Sequence, residues 1–359
     1  MITAKITIIR IIMKRRAFIT VFCFFLAIPC FSQADLQPAA TINLIRTEAI
    51  TVRQLRTEVE RMEKSTGRTL TEQQRREVLD AMINERLAIQ AAERDRITVS
   101  ESEVNRQIDQ IKTQMMQAIG RQPTDAEFAA AIRNETGLDM AAFRDQTRRQ
   151  LITNKYLMSK KQSIIESVKV PTEEDISNWY NLNKASMVRP DTVRFSMIQV
   201  DFGADAAAKT RAKELADRLL REISSNASKF DEVVLRGQAP NSGYQAGDGG
   251  YLPRNMEAAQ VVGQEFINVA FGLKQGEVSR MMEGIRGYQI IKITETYSQK
   301  NLDLDDIIQL GTRVTVRDYI RNGILQERNM EVLTKATQEL VAELRAGKTF
   351  QVFERNLNW

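Results

Sequence analysis

The sequence predicts an α+β protein whose successive parts differ in composition. Residues 52–167 combine helix-type apolar spacing with many charges and few glycines, which favours a helix-rich domain. Ten of the seventeen glycines lie between Gly237 and Gly287, where short apolar runs alternate with turns, as in a small sheet. Helical spacing returns after Tyr297, and one last apolar run follows it. At 359 residues the chain is long enough for two or three domains with their own cores.

The helix-rich part begins with a short predicted hairpin. Residues 41–45 alternate in strand fashion, and residues 49–51 follow a polar break. From Val52 the pattern becomes helical, and capping boxes predict where further helices begin. In each box a hydroxyl residue is followed three positions later by Glu or Gln: Thr71 with Gln74, Ser100 with Glu103, and Thr124 with Glu127. Asp139 is the predicted start of a longer helix.

Residues 171–190 form a predicted linker helix. Pro171 precedes an acidic first turn, and Pro190 is expected to end the helix. Residues 191–298 then make up the glycine-rich part. Its predicted strands are Val193 to Val200 and the apolar run that follows Gly287.

The last part of the chain, residues 299–359, is predicted to contain one helix and one strand. Helical spacing extends from about Leu304 to Arg345. Thr349 to Phe353 then alternates as a short strand does.

Residues 1–34 have the composition of a secretory signal peptide. The basic stretch Lys14-Arg15-Arg16 precedes an apolar run over residues 17–28, which is too short to span a bilayer comfortably. The sequence Ser-Gln-Ala before Asp35 predicts cleavage after Ala34 and export to the periplasm. Met13 is the preferred start, because the basic region then follows it directly.

Both cysteines, Cys23 and Cys30, lie in this leader. Lipid attachment at Cys30 is the alternative to cleavage at Ala34, although Pro29 stands where a lipid-attachment motif needs a small residue. After cleavage the mature chain would contain no cysteine, which excludes disulfides and thiol catalysis.

The formal charge of +5 comes from the leader. Five of the 51 basic residues and no acidic residue lie in residues 1–34, which leaves 46 basic residues to balance the 46 acidic ones. A balanced mature chain predicts no nucleic-acid partner.

The sequence contains no histidine. This excludes Ser-His and Cys-His nucleophile chemistry and the usual imidazole metal sites. Residues 247–250 (Gly-Asp-Gly-Gly) are followed neither by Lys-Ser/Thr nor by a helix start, so they do not predict a phosphate-binding loop. We therefore expect no cofactor, no metal and no use of ATP.

Four short motifs in the glycine-rich part carry a family resemblance. In chain order they are the glycine-studded segment 246–252, Glu265-Phe266, Ala270 to Leu273 with Gly276-Glu277-Val278-Ser279, and Gly287-Tyr288-Gln289-Ile290-Ile291-Lys292. Together they resemble the parvulin (rotamase) family of peptidyl-prolyl isomerases. The resemblance implies an antiparallel sheet flanked by helices, and since the sequence contains no internal repeat, a single parvulin unit is expected.

In parvulins a proline-binding slot lies above two facing histidines, with an Asp or Cys nearby. The resemblance places the two histidine positions at Met197 and Gln289, and the Asp or Cys position within residues 238–241, which contain neither. It therefore implies that no catalytic residue is intact. The slot residues that it implies are Phe266, Val262 or the alternative Met256, Leu273 and Tyr251. Each of these also fits an ordinary core or loop role.

The helix-rich part resembles the N-terminal domain of SurA-type periplasmic chaperones. The resemblance rests on the order of elements and on the short matches at residues 83–87 and 99–104. In that family the C-terminal helix returns to the N-terminal domain, and the last strand pairs with the first. The resemblance thus implies a chaperone domain of residues 35–170, completed by residues 299–359, with the parvulin unit inserted between them.

Together the resemblances imply a secreted, ATP-independent chaperone that holds unfolded outer-membrane or secreted proteins. Its parvulin-like domain is expected to have little or no isomerase activity. The alternative is an active peptidyl-prolyl cis-trans isomerase that assists the folding of exported proteins. The expected partners are unfolded or proline-containing polypeptides, without nucleic acid and without a stable membrane span.

Overall fold

The structure, a computed structural model, describes residues 33–225 and 228–359. The predicted signal peptide lies outside the described residues up to Ser32, and a short helix, α1 (Gln33–Leu36), begins at its penultimate position. Within the described ranges no helix combines the length and the apolar character needed to cross a bilayer.

The described chain forms two compact units. The first unit contains residues 33–160 together with 338–359, and the second unit contains residues 161–337. Each unit has its own apolar clusters.

The first unit begins with the predicted hairpin, β1 (Pro38–Asn43) and β2 (Thr47–Thr51). Helices follow in the order α2 (Val52–Thr66), α3 (Glu72–Arg94), α4 (Glu101–Ile119), α5 (Asp125–Thr136) and α6 (Met140–Ile165). The three predicted capping boxes are confirmed. The hydroxyls of Thr71, Ser100 and Thr124 each accept from the backbone N–H three residues on, and the Glu or Gln side chain at that position accepts from the backbone N–H of the cap residue. Thr51 and Gln54 form a further box at the start of α2.

The second unit contains the predicted linker helix and strands. Its elements are α7 (Glu173–Asn183), β3 (Val188–Arg189), β4 (Thr192–Asp201), α8 (Ala206–Ser225), α9 (Lys229–Gly237), β5 (Gln245–Pro253), α10 (Met256–Val262), α11 (Gln264–Gly272), β6 (Met282–Glu283), β7 (Gly287–Tyr297) and β8 (Lys300–Asn301). The main sheet is antiparallel, with the strand order β5-β4-β7-β6. A separate two-stranded ribbon joins β3 to β8.

The end of the chain consists of α12 (Val316–Ala346) and β9 (Phe350–Val352). Strand β9 pairs antiparallel with β1, with Ile42 opposite Phe350 and Ala40 opposite Val352, so the first unit has a three-stranded sheet in the order β2-β1-β9. The predicted α+β fold class is confirmed: the helix-rich first unit is completed by β9 and by α12 from residue 338 onward, and the inserted second unit contains an antiparallel sheet flanked by helices. Of the predicted C-terminal part, residues 299–337 belong to the second unit instead.

Two predicted helix limits differ from the structure. The linker helix α7 ends at Asn183 rather than at Pro190, because Val188 and Arg189 pair as β3, and a residue before proline favours extended backbone. The last helix begins at Val316 rather than near Leu304. The intervening residues form turns, one of which is closed by the Asp306 carboxylate, which accepts from the backbone N–H of Asp303 at 2.8 Å.

The core of the first unit lies where its sheet meets α2 and α3. Fully or almost fully buried side chains from these elements form one cluster, including Ile42, Ile50, Leu55, Ile83 and Leu87. Side chains from the end of the chain pack against it: Leu344, Phe350, Val352, Leu357 and Trp359. The Trp359 ring has the Arg56 guanidinium at 4.8 Å and that of Arg75 at 5.1 Å from its centroid, within the range of cation–π attraction.

Candidate functional site

The central strands β4 and β7 present chemically different faces of the main sheet. Side chains alternate along a strand, so residues two apart share a face. On one face Ile198, Val200, Tyr288 and Ile290 belong to the apolar cluster formed with α8 and α9. The other face carries apolar residues at one end and polar residues at the other, which makes it the candidate site.

The apolar end of this face packs against α11. Ile291 and Ile293 are completely buried, and the Phe195 ring meets the Phe266 ring edge to face, with 5.3 Å between their centroids. Gly249 is needed for this packing, because a Cβ at that position would lie 2.2 Å from the Phe195 ring. The packing therefore fixes Phe266 at the base of the neighbouring cavity.

A cavity of about 470 Å³ opens beside this apolar cluster. Its lining residues come from α10, α11, β6, the β6–β7 turn and β7: Val262, Gly263, Glu265, Phe266, Met282, Glu283, Gly284, Ile285 and Gln289. Gly263 has φ near +90°, a backbone conformation that glycine adopts readily and other residues rarely adopt. It joins α10 to α11, so that Val262 and Phe266 line the same cavity. The base of the cavity is apolar, since Phe266 and Met282 are 5% and 3% exposed.

The polar end of the face consists of a hydrogen-bond chain. Gln199 and Gln289 are direct partners in the β4–β7 register. The Gln289 Nε2 donates to the Gln199 Oε1 at 3.1 Å, and the Gln199 Nε2 donates to the Asp201 Oδ1 at 2.7 Å. Gln199 is only 9% exposed, so both ends of its buried amide are satisfied within the chain.

A further cavity of about 380 Å³ lies on the other side of Gln199. It is bounded by Asp201, Gln245 and the loop after α9, which includes Asn241 and Tyr244. Gln289 lines the first cavity and Gln199 lines this one, so the paired glutamines separate the two cavities.

The structure brings part of the predicted slot together. Val262 and Phe266 both line the 470 Å³ cavity, and so does Gln289 at the second predicted histidine position. Met197, at the first predicted position, is half-buried against the apolar cluster, opposite Ile291. Positions 197 and 289 are therefore diagonal neighbours on one face of the sheet, close enough for their side chains to face the same space.

Three predicted residues lie elsewhere. Leu273 packs against the apolar cluster behind α11 without lining the cavity. Met256, the alternative to Val262, is 75% exposed at the start of α10. Tyr251 lies under the Arg194 guanidinium, 5.2 Å from its ring centroid, and beside the ring of Tyr297. A role of these three in binding stays a prediction.

The surroundings of Tyr251 form a charged cluster. Arg194 binds Asp248 at 2.7 Å and Glu295 at 2.9 Å, and its guanidinium lowers the pKa of Asp248. The hydrogen bond from the Tyr297 hydroxyl to Glu295 raises the pKa of Tyr297 to about 12. These groups hold β4, β5 and β7 together at the end of the sheet remote from Gln199.

The sequence reasoning missed Gln199, Asp201 and Met282. Counting in twos from Met197 along the predicted strand would have placed Gln199 and Asp201 on the same face. Their pairing with Gln289 requires the strand register, which a single sequence does not supply. The position of Met282 depends on the short strand β6, which no motif in the sequence indicates.

The first unit contains a larger cleft of about 840 Å³ between α2, α3 and α6. Apolar side chains in it include Met62, Leu70, Val78, Met82 and Leu138. Charged side chains of both signs surround them: Arg53, Arg61, Arg86, Arg149, Glu58, Glu77, Glu85 and Asp145. In the described residues neither this cleft nor the sheet cavities contain a group of three or more acidic, His or Cys side chains able to hold a metal ion.

Comparison with known families matches both parts of the chain. Residues 4–157 match the SurA-like N-terminal domain, and residues 171–309 match the PPIC-type PPIASE domain. Curated relatives include the foldase protein PrsA of Clostridium botulinum (strain Loch Maree / Type A3), which is 24% identical over 83% of this chain and 79% of the relative. Foldase protein PrsA of Clostridium acetobutylicum is 22% identical over 79% of this chain and 75% of that protein.

Solved structures of similar proteins include one from Campylobacter jejuni, described in a study of the SurA-like chaperones PEB4 and Cj1289. It is 12% identical, with 88% of this chain and 99% of that chain covered and a TM-score of 0.39. The two family matches assign the chain a SurA-like N-terminal domain joined to a single PPIC-type, or parvulin, peptidyl-prolyl isomerase domain.

Proposed function

We propose that this protein is an exported, ATP-independent chaperone that holds unfolded polypeptides, and that its parvulin domain binds proline-containing segments with little or no isomerisation. The curated relatives are foldases, and the family of the first unit is that of SurA-like chaperones. The proposal thus assigns to this protein the binding of unfolded polypeptides, and it assigns little or no catalysis to the parvulin domain.

The observation that carries the second half of the proposal is the hydrogen-bonded pair Gln199–Gln289. Isomerisation about an X–Pro bond must cross a barrier of roughly 18–20 kcal/mol. At the position of one family histidine the chain has Gln289, whose neutral amide is already bonded to Gln199 at 3.1 Å. At the other position Met197 packs against apolar residues. Neither side chain exchanges a proton near neutral pH, unlike the histidine pair of the family.

The apolar part of the slot supports retained binding. Val262, Phe266 and Met282 line a cavity of about 470 Å³, which is larger than a proline ring needs. Phe266 is held by its edge-to-face contact with Phe195. A preformed apolar wall of this kind gains affinity from any ring or aliphatic side chain that it buries.

The cleft of the first unit supports the holding role. Its apolar residues include Met62 and Met82, and methionine side chains adapt to varied partners. Charged residues of both signs around them suit the backbone and the polar side chains of an extended client.

Precursors of outer-membrane proteins are the proposed clients, and the periplasm is the proposed location, with processing after Ala34. N-terminal sequencing of the exported protein tests the processing, and a lipid-modified Cys30 would contradict it.

Catalysis is tested with a proline-containing tetrapeptide in the wild type and in the double variant Met197→His, Gln289→His. We expect negligible acceleration by the wild type and a measurable gain in the variant, while suppression of aggregation of a denatured test protein stays the same in both. A wild type that isomerises as fast as histidine-containing parvulins would support the active isomerase instead. A wild type that neither isomerises nor suppresses aggregation would contradict the chaperone role itself.

Binding is tested separately with Phe266→Ala. Loss of this buried aromatic contact should weaken peptide binding by about 1–3 kcal/mol. The matched control is Phe353→Ala, an aromatic substitution in the first unit at the end of the chain. Equal peptide affinities of Phe266→Ala and the wild type would show that the cavity is not the binding site.

A further inference from the structure

The hydrogen-bond chain beside the cavity has a fixed direction, because its last member can only accept. Asp201 is exposed, and an ionised carboxylate has no hydrogen to donate. Gln199 must therefore turn its NH₂ group to Asp201, as the 2.7 Å contact of Nε2 with Oδ1 shows. Its Oε1 is then left to accept, and Gln289 donates its own NH₂ group to it at 3.1 Å.

This direction determines which atom Gln289 presents to the cavity. With Nε2 used on Gln199, the Oε1 of Gln289 is free to accept, and no hydrogen bond in the described part of the chain uses it as an acceptor. The same Oε1 is the atom nearest to Gly284, where an added Cβ would lie 2.6 Å from it. Since Gly284 and Gln289 both line the cavity, the oxygen lies at the cavity wall.

We propose that Asp201, through Gln199, holds the Gln289 amide with its oxygen towards the cavity, and that the cavity selects polypeptide segments in which a proline is followed by a backbone N–H that donates to this oxygen. The inference rests on the proposed function only in taking the cavity as a peptide site. It adds which polypeptide segments the cavity recognises, and it assigns Asp201 and Gln199 the role of positioning the Gln289 amide.

The donor follows from the chemistry of proline. The nitrogen of a proline ring in the apolar slot carries no hydrogen, so the X–Pro amide itself has nothing to donate. The next peptide group along the chain is the nearest one that carries an N–H on the C-terminal side of the ring. An acceptor beside the slot thus favours X-Pro-Y segments in which Y is any residue except proline, and it disfavours Pro-Pro.

The experiment compares two probe peptides on the full-length protein. One is a blocked Ala-Phe-Pro-Phe amide, and the other is the same peptide with an ester oxygen in place of the N–H that follows proline. The ester keeps the shape and removes the donor. We expect the amide peptide to bind about five- to tenfold more tightly to the wild type, the effect of one net hydrogen bond. Equal affinities of the two peptides would overturn the proposal.

Variants connect this ratio to the hydrogen-bond chain. In Gln289→Met the amide-to-ester ratio should fall to about one, and in Asp201→Ala it should fall at least twofold, because Gln199 is then free to reverse. Asp201 is exposed, so its removal is not expected to unfold the sheet. A wild-type ratio that persists in Asp201→Ala would overturn the positioning role.

A glycine pair supplies a steric test with a matched control. Gly284→Ala places a methyl group against the Gln289 amide and should weaken binding of the amide peptide, whereas Gly272→Ala, at a site with no atom within 4 Å of the added group, should not. Equal effects of the two substitutions would overturn the proposed position of the oxygen.

The proposed function fails differently from this inference. Rapid isomerisation, or a failure to suppress aggregation, contradicts the proposed function. The ratio of the affinities for the amide and the ester peptide still tests the inference in either case. A protein that suppresses aggregation and binds both probes with equal affinity contradicts the inference alone, whereas one that binds neither probe contradicts both the inference and the proposed peptide binding.

Discussion

In the first unit the strand that completes the sheet comes from the far end of the chain, whereas in the second unit the main sheet is built entirely within residues 192–297. Strand β9 pairs with β1, and Trp359 packs against the same core. The second unit instead depends on close contacts inside one sheet, such as that between Gly249 and the Phe195 ring. The first unit thus depends on β9 and the second on the packing around Gly249, so each unit can be destabilised without the other.

The largest effect is expected from deleting residues 349–359. The deletion removes β9 and the side chains of Phe350, Val352, Leu357 and Trp359 from the core of the first unit. A fully buried side chain of this size contributes about 1.5–3 kcal/mol, and these four are partly buried, so together they contribute several kcal/mol, a large fraction of the stability of a typical domain. Denaturant unfolding followed by circular dichroism should show the first unit unfolded. The second unit is the internal control, and loss of both units together would contradict the separation.

The complementary substitution is Gly249→Ala, which should destabilise the second unit and leave the stability of the first unit unchanged. The new methyl group would lie 2.2 Å from the Phe195 ring, and overpacking of this kind costs about 1–3 kcal/mol. Gly247→Ala on the same strand is the matched control, because no atom lies within 4 Å of its added group. Similar melting temperatures of the two variants would show that the sheet relaxes around Phe195.

The smallest effect concerns an ion-pair cluster of the first unit. Asp95 binds Arg94 at 2.9 Å and Lys160 at 2.5 Å, and these hydrogen bonds lower its pKa from 3.8 to about 2. Because the folded-state pKa is the lower one, the stabilisation is complete above pH 4 and is lost as the pH falls towards 2. Because solvent screens this ion pair at the surface, its size is about 1–2 kcal/mol, less than the shift alone would give.

Unfolding of the wild type and Asp95→Asn at several pH values tests this. The difference in the free energy of unfolding should be largest near pH 6 and should vanish near pH 2. The control is Asp109→Asn, at an exposed position of α4. A difference for Asp95→Asn that does not change with pH would mean that the lost stabilisation is not electrostatic.

Local sequence signals predicted the helices of both units better than the site. The capping boxes at Thr71, Ser100 and Thr124 were correct because each is completed within four residues. The pairing of β9 with β1 was predicted from the family resemblance, and it is physically reasonable because the edge of a short hairpin needs a partner. No local rule connects segments so far apart in the chain.

The candidate site was predicted in part for the same reason. Val262 and Phe266 were placed by motif, and both line the cavity. Gln199 and Asp201 were overlooked, because the family pattern draws attention to the histidine positions and not to the residues two and four places further along the strand. Their role depends on hydrogen bonds across strands, which only the register reveals.

The pairing of β1 with β9 also sets an order of events during synthesis. A polypeptide that emerges from its N-terminus exposes β1 and β2 first, and the whole of the second unit follows before β9 appears. The second sheet has all its strands once residue 297 has emerged, so it is free to fold early, since domains generally fold as units. The first unit keeps an unpaired strand edge until residues 350–352 arrive. An interrupted translation product therefore lacks a finished first domain, and proteases that remove unfolded chains can distinguish it from the complete protein.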